Sequence, residues 1–276
     1  MGWLVGASKY DIIKVTNDEL IVRIIQAGDG FAWYHKFTST KPTKATASYT
    51  YNNLAWEDDF NTDGAPDTAK WTYDLGAGGW GNGELQTYTN NADNVIVEGG
   101  SLKINAKVNG AGYTSARLKS EGLYEFTYGR VEVRAKLPAS QGTWPAIWML
   151  GANFSTVSWP AAGEIDIMEQ KGDDKNTILS TLHYPGNSGG NGPSQSTTLA
   201  TSTTEFHNYT VEWTDAKIEF FIDDVSFHTF NNDATTPFNA DFFLILNVAM
   251  GGTLGGTVDP AFTEDTMEID YIKVYQ

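Results

Sequence analysis

No stretch of eleven or more residues in this chain sustains a 3.6-residue hydrophobic period, and that absence constrains its fold more than any other feature. Short alternating segments take the place of helices. Residues 101–106, 130–135, 209–213, 217–222 and 267–272 alternate apolar and polar side chains, and Gly, Asn, Asp and Thr clusters separate them. Alternation with period two is the mark of a half-buried strand, and many such strands with turn signals between them make an all-β sandwich or barrel. The run 241–248, Asp-Phe-Phe-Leu-Ile-Leu-Asn-Val, is longer and apolar throughout. It reads as a strand buried on both faces. The segment 184–203 is rich in Gly, Ser and Asn and reads as a long loop, either mobile or a wall of a binding site.

Composition narrows the functional classes. The 276 residues include 9 Trp, 13 Tyr and 14 Phe, too many aromatics for a disordered chain. The 18 basic and 34 acidic side chains give a net charge of −16. That balance argues against nucleic acid, whose phosphates require clustered Lys and Arg, and against an anionic membrane surface. No apolar run approaches the roughly 20 residues of a membrane-spanning helix. With no Cys, disulfides, thiol nucleophiles and cysteine-based zinc sites are excluded. The four His show no i, i+4 pair, so no histidine-based metal site is visible, and no G-x-S-x-G elbow occurs.

Two regions are expected. Residues 38–48 are polar, lack large apolar groups and contain one Pro, as a linker does. Upstream, 10–16, 19–25 and 31–37 read as three short strands. They are too few to bury a core alone, and so belong to a neighbouring module's tail or to a layer added to the main domain. The boundaries are set at 1–45 for this short β segment with its linker and 46–276 for the main domain.

The most informative segment is Gly163-Glu164-Ile165-Asp166-Ile167-Met168-Glu169. An E-x-D-x strand is ordinarily a half-buried strand with a solvated acidic face. Here, strict alternation would place Met168 among the acids and Glu169 among the isoleucines. One extra residue at Ile167-Met168, a β-bulge, repairs both and puts Glu164, Asp166 and Glu169 on one face; bulges frequently re-aim side chains beside active sites. The outer pair is then roughly 13 Å apart between Cα atoms. On a concave surface, two Glu side chains leaning together can close to about 5–5.5 Å, the separation of a retaining glycosidase. Three carboxyl groups so placed repel, so at least one pKa must rise.

The neighbouring sequence carries groups suited to sugar. Trp144, Trp148 and Trp159 lie within 16 residues just before the acidic strand. Indoles stack on apolar pyranose faces and offer an N–H to hydroxyls. The segment 76–84 has five Gly in nine positions. It is either a flexible turn or an exposed loop bringing Trp80, Asn82 and Glu84 to a ligand. Arg117 reads as a surface charge or a hydroxyl donor, and His183 ends a strand.

These motifs resemble glycoside hydrolase family sixteen, and within it the bacterial laminarinase-like endo-β-1,3-glucanases. The likeness runs from about Trp56 to Tyr275 through Asp58-Asp59-Phe60-Asn61, Gly79-Trp80-Gly81-Asn82-Gly83-Glu84, Tyr113-Thr114-Ser115-Ala116-Arg117, Gly142-Thr143-Trp144-Pro145-Ala146-Ile147-Trp148-Met149, Trp159-Pro160, the acidic strand, Leu182-His183 and Leu246-Asn247-Val248-Ala249-Met250-Gly251-Gly252. The extra Met168 resembles the laminarinase type. Where many relatives have two Asn before the Glu, this chain has Asn82-Gly83, which puts one polar contact in doubt.

The resemblance implies a β-jelly-roll of two curved antiparallel sheets with a substrate groove across the concave face. It implies Glu164 as nucleophile, Glu169 as general acid and base, and Asp166 between them setting protonation. Asn82, Glu84, Arg117, Trp144, Trp148, Trp159, His183 and Asn247 match its groove-lining sugar contacts. It implies no catalytic cofactor, but a structural calcium held by the backbone carbonyls of Asp59 and Gly100 and the side chain of Asp270. The expected substrate is a β-glucan and the expected state a monomer, with neither nucleic acid nor membrane as partner. Secretion or a periplasmic location is expected too, with the signal and any upstream module absent from this chain. Gln170, next to Glu169, is expected to hydrogen-bond near the acid in a role the sequence leaves open. The alternatives are the same scaffold acting on mixed-linkage β-1,3-1,4-glucan, agar or carrageenan, a non-hydrolysing glucan-binding jelly roll, and a structural or adhesive β-sandwich.

Overall fold

The computed structural model describes residues 7–15, 19–26, 32–38 and 50–276. The chain divides into two compact units, Met1–Tyr49 and Thr50–Gln276. In the first, strands Ala7–Val15, Glu19–Gln26 and Ala32–Thr38 form an antiparallel meander in chain order. These strands lie within a residue or three of the expected spans. Apart from residue 38, the expected linker lies outside the described residues.

The second unit is built from two sheets, one of seven strands and one of ten. Across the seven-stranded sheet the order is Ser194–Thr198, Thr177–His183, Glu164–Gln170, Thr143–Gly151, Phe242–Met250, Arg117–Lys119 and Thr72–Tyr73. Every pairing within it is antiparallel. The larger sheet departs from the antiparallel expectation at one place, where Gln86–Tyr88 pairs with Gly112–Ser115 in parallel. The expected loop 184–203 is partly ordered into the edge strand Ser194–Thr198.

Alternation explains the layering. Ile147, Met149, Ile165, Leu244, Leu246 and Val248 from the smaller sheet share one buried cluster with Val131, Val133, Val211, Ile269 and Ile272 from the larger. Each fully buried aliphatic side chain contributes about 1.5–3 kcal/mol relative to exposure. All nine residues of Phe242–Met250 are buried, as the apolar run implies, but for two reasons. Phe242, Leu244, Leu246, Val248 and Met250 enter the core between the sheets. Phe243 and Ile245 join Leu150 and Trp148 in a separate cluster on the other face. That other face carries the site.

Candidate active site

The acidic strand has the bulge that its sequence requires. Trp148 pairs with Asp166 and Ile147 with Met168, so Ile167 is the extra residue. On the other side Asp166 pairs with Thr181 and Glu169 with Leu179, across the same shift. Ile167 and Met168 are both buried in the core. Glu164, Asp166 and Glu169 all reach the opposite face, where they line a groove of 660 Å³. An unbulged strand would have buried Glu169 among apolar side chains at a large desolvation cost.

Strand register lays out the groove in rows. Glu169 stands beside Ala146, then Asn247, then Arg117; Asp166 stands beside Trp148, then Ile245, then Lys119; Glu164 stands beside Leu150, then Phe243. The acids therefore lie across the width of the groove, and its length runs over the neighbouring strands.

Each outer acid is held by an indole. Trp159 Nε1 donates to Glu164 Oε2 at 3.1 Å, and Trp144 Nε1 donates to Glu169 Oε1 at 3.0 Å. His183 Nε2 lies 3.1 Å from Asp166 Oδ2 and 3.5 Å from Glu164 Oε1. Gly192 makes room for this histidine, because a Cβ there would meet His183 Nδ1 at 2.8 Å. Burial raises the pKa of all three acids well above the carboxylate range. For Glu164 the neighbouring Asp166 and Glu169 raise it further, while His183 and Arg117 oppose the rise. For Glu169 the charge of Asp166 adds to burial, and hydrogen bonds from Trp144 and Thr181 oppose it. In this setting the trio retains a proton at neutral pH; His183 acts on both outer acids alike, and the Arg117 guanidinium favours the anion at Glu164.

The Gly-rich segment does bring its polar residues to the groove. Trp80, Asn82 and Glu84 all line it. Gly252, at φ 70°, permits the approach, since a Cβ there would stand 2.9 Å from the Asn82 carbonyl oxygen. Glu84 accepts from Asn82 Nδ2 at 3.0 Å, Gln86 Nε2 at 2.6 Å and Tyr88 Oη at 3.1 Å. Asn247 Nδ2 donates to Tyr88 Oη at 3.1 Å, and Trp148 Nε1 donates to Asn247 Oδ1 at 2.8 Å. A continuous polar chain thus fixes the plane of Trp148 from the loop. Arg117 is not a surface charge but lines the groove. Its guanidinium lies between the rings of Trp80 and Trp148, 5.0 and 4.7 Å from their centroids, with Nε 2.9 Å from Asp74 Oδ2.

Of the expected sugar contacts, Asn82, Glu84, Arg117, Trp144, Trp148, Trp159 and Asn247 line the groove. His183 is not among the lining residues; its imidazole meets the acids instead. Gln170 is a correction. It is fully buried on the opposite face, donating to the Lys175 carbonyl at 2.8 Å and to Ser202 Oγ at 3.3 Å, because parity after Glu169 turns it inward. Sequence reasoning missed Tyr88, which holds Glu84, and Asp74, Lys119, Glu121, Phe154, Phe243 and Ile245, which line one part of the groove. Parity could have found several, since Lys119 follows Arg117 by two and Ile245 precedes Asn247 by two.

The segments bearing the three positions matched to calcium converge on one strand of the larger sheet. On strand Glu264–Tyr275, Ile269 pairs with Leu102 and Ile272 pairs with Asp58, so Asp270 lies where the segments bearing Gly100 and Asp59 converge. Arg134 Nη1 engages one carboxylate oxygen of Asp270. Two carbonyls and a carboxylate form an oxygen-only donor set that fits a hard cation.

Comparison with known proteins agrees with this geometry. The model of "Glycosyl hydrolases family 16" matches residues 82–273. A beta-glucanase from Rhodothermus marinus is 42% identical over 242 residues, spanning 81% of this chain and 85% of that protein. The structure of LamA from Zobellia galactanivorans, in complex with laminaritriose and laminaritetraose, is 42% identical with a TM-score of 0.76, covering 82% of this chain and all of that one. SCLam, a non-specific endo-beta-1,3(4)-glucanase, is 41% identical with a TM-score of 0.77, covering 81% of this chain and 94% of that one. With its bulged acidic strand set in a tryptophan-lined groove, the chain belongs to glycosyl hydrolase family 16.

Proposed function

We propose that this protein is a retaining endo-glycosidase that hydrolyses internal β-1,3-glucosidic bonds of laminarin-type β-glucans. The observation that carries the reading is the bulge at Ile167-Met168, which turns Glu169 to the face of Glu164 and gives each acid its own indole donor. Glu164, whose anion Arg117 favours, attacks the anomeric carbon. Glu169, kept protonated by burial and by Asp166, donates its proton to the leaving oxygen. The glycosyl–Glu164 ester is then hydrolysed by a water from which the ionised Glu169 takes a proton. Asp166, between them, raises the pKa of both and shares in the proton the trio retains. The similarity to a laminarinase solved with laminari-oligosaccharides supports the β-1,3 linkage.

Mixed-linkage β-1,3-1,4-glucan is the second reading, favoured by the equal likeness to SCLam. Asp59, Gly100 and Asp270 are proposed to hold a structural calcium that ties two segments to the strand Glu264–Tyr275. It would take no part in the chemistry. Secretion as a monomer fits an enzyme whose substrate is a polymer.

The test is hydrolysis of laminarin and lichenan in parallel by the wild type, Glu164→Gln and Glu169→Gln. Reducing ends should appear faster than free glucose, with laminarin the better substrate. Either variant should lose at least about a thousandfold in kcat while still binding oligosaccharide. Near-wild-type cleavage by either variant rejects the assignment, and early release of mainly glucose rejects internal attack.

A further inference from the structure

Behind the acidic strand, on the face away from the groove, lies a buried polar node that the reaction as written does not use. Thr143, Gln170 and Ser202 are each fully buried. Lys175 reaches into them from the turn after the acidic strand. Its Nζ donates to the Thr143 carbonyl at 2.8 Å, to Thr143 Oγ1 at 2.6 Å and to Gln170 Oε1 at 3.2 Å. An ammonium has three N–H donors, and all three are satisfied here. The node is closed on its far side. Thr143 Oγ1 donates to the Ser140 carbonyl at 2.8 Å, Ser202 Oγ donates to the Lys175 carbonyl at 2.8 Å, and Gln170 Nε2 donates to that same carbonyl. Burial lowers the Lys175 pKa to about 8 while Asp265 and Asp173 oppose the fall. A methionine could fill much of the same space without a charge, so the cation is there for what it holds.

What it holds is one residue on each of two strands. Thr143 immediately precedes Trp144, and Gln170 immediately follows Glu169. Because side chains alternate, Trp144 and Glu169 point into the groove while their neighbours Thr143 and Gln170 point back into the node. The Trp144 indole donates to Glu169 at 3.0 Å, so the same two strands are joined on both faces. The two strands pair at Ala146 and Glu169, and beyond that point the node continues their connection.

We propose that Lys175 is a positioning residue for the general acid, a clamp that fixes Glu169 and its indole donor in register from the opposite face of the sheet. It touches neither the groove nor either catalytic carboxyl. This role rests on the assignment of Glu169 as the acid. It deepens that assignment by naming what sets the acid's aim, which the recognition motif around Glu169 does not contain. A misplacement of about 1 Å at a catalytic group costs up to a hundredfold in rate. The loss should fall on the step that needs the acid, and sugar binding by Trp148, Trp159 and Arg117 should be spared.

The test compares laminarin with an aryl β-laminarioligoside bearing a 2,4-dinitrophenolate leaving group, which departs without protonation. Glu169→Gln is the reference: it should abolish kcat/KM on laminarin and leave kcat/KM on the aryl substrate within about fivefold. If Glu169→Gln lowers both substrates alike, the acid assignment itself fails. Given the expected reference behaviour, Lys175→Met should lower kcat/KM on laminarin about tenfold, leave the aryl substrate within about twofold, and move the alkaline limb of the laminarin pH profile. Equal losses on both substrates, or no loss on laminarin, overturn the clamp alone. The chain has no native Cys, so Lys175→Cys, alkylated with 2-bromoethylamine before refolding, carries an ammonium at this one position. Restoration of laminarin hydrolysis by that amine supports the proposal. Alkylated protein that remains as slow as unmodified Lys175→Cys overturns it.

Discussion

Glu164, Asp166 and Glu169 are held against their own electrostatics. Their folded-state pKa values are raised, with burial the largest cause, and Glu169 reaches about 8. Between the ordinary carboxylate range and that value the folded protein binds more protons than the unfolded chain, so this part of its stability falls as pH rises. Asp166→Asn should therefore melt several degrees higher than wild type at pH 7, and the gain should shrink as pH falls and vanish below about pH 3, where the unfolded carboxyl is protonated too. Calorimetry at the two pH values decides it; a lower melting temperature at pH 7 would contradict the account. Activity should follow the same protons. The profile of kcat/KM against pH should be bell-shaped, rising as the trio loses its first proton and falling as it loses its last, with apparent values belonging to the group. The alkaline limb should lie well above the usual Glu range and should disappear in Glu169→Gln. An unchanged alkaline limb in that variant would assign the last proton elsewhere.

At the level of single elements, the bulge is a device of parity. Five positions separate Glu164 from Glu169, an odd number, and one inserted residue makes them share a face. Deletion of Met168 reaches the same outcome by a different route, since the shortened strand alternates regularly with its three acids together and its isoleucines in the core. This variant should fold and keep hydrolysis within about a hundredfold of wild type. Activity as low as that of Glu169→Gln would mean that the kink, and not the shared face, aims the acid. The strand Phe242–Met250 teaches a related point. Its uniform apolarity reads as burial on both sides, and it is buried on both sides, yet Phe243, Ile245, Asn247 and Ala249 form the lining of a groove. Relative exposure does not separate a closed core from a concave site covered by large indoles.

Across the whole molecule, Asp59, Gly100 and Asp270 come from three separate segments that converge on the interior strand Glu264–Tyr275 of the larger sheet. If a cation holds them, chelation by EDTA should lower the melting temperature by several degrees, calcium should restore it, and kcat at a temperature below melting should not change. No shift on chelation would dismiss the site. The net charge of −16 gives the groove a repulsive field toward polyanions. That makes neutral glucans the suitable polymers and leaves the choice among them to the groove's shape.

Local chemistry was legible without coordinates. The period-two alternation specified an all-β chain, because a strand with one buried face can be written in no other way. The misplaced Met168 and Glu169 specified a bulge, because neither side chain tolerates the other's environment. What only the tertiary structure decided were relations between residues far apart in the chain. Arg117 is locked between Trp80 and Trp148, Tyr88 links Glu84 to Asn247, and Gln170 turns its back on the acid beside it to meet Lys175 and Ser202. Each of these depends on strand order and register across the sheet. Those are set by the packing of two whole sheets against each other, and no local run of residues contains them.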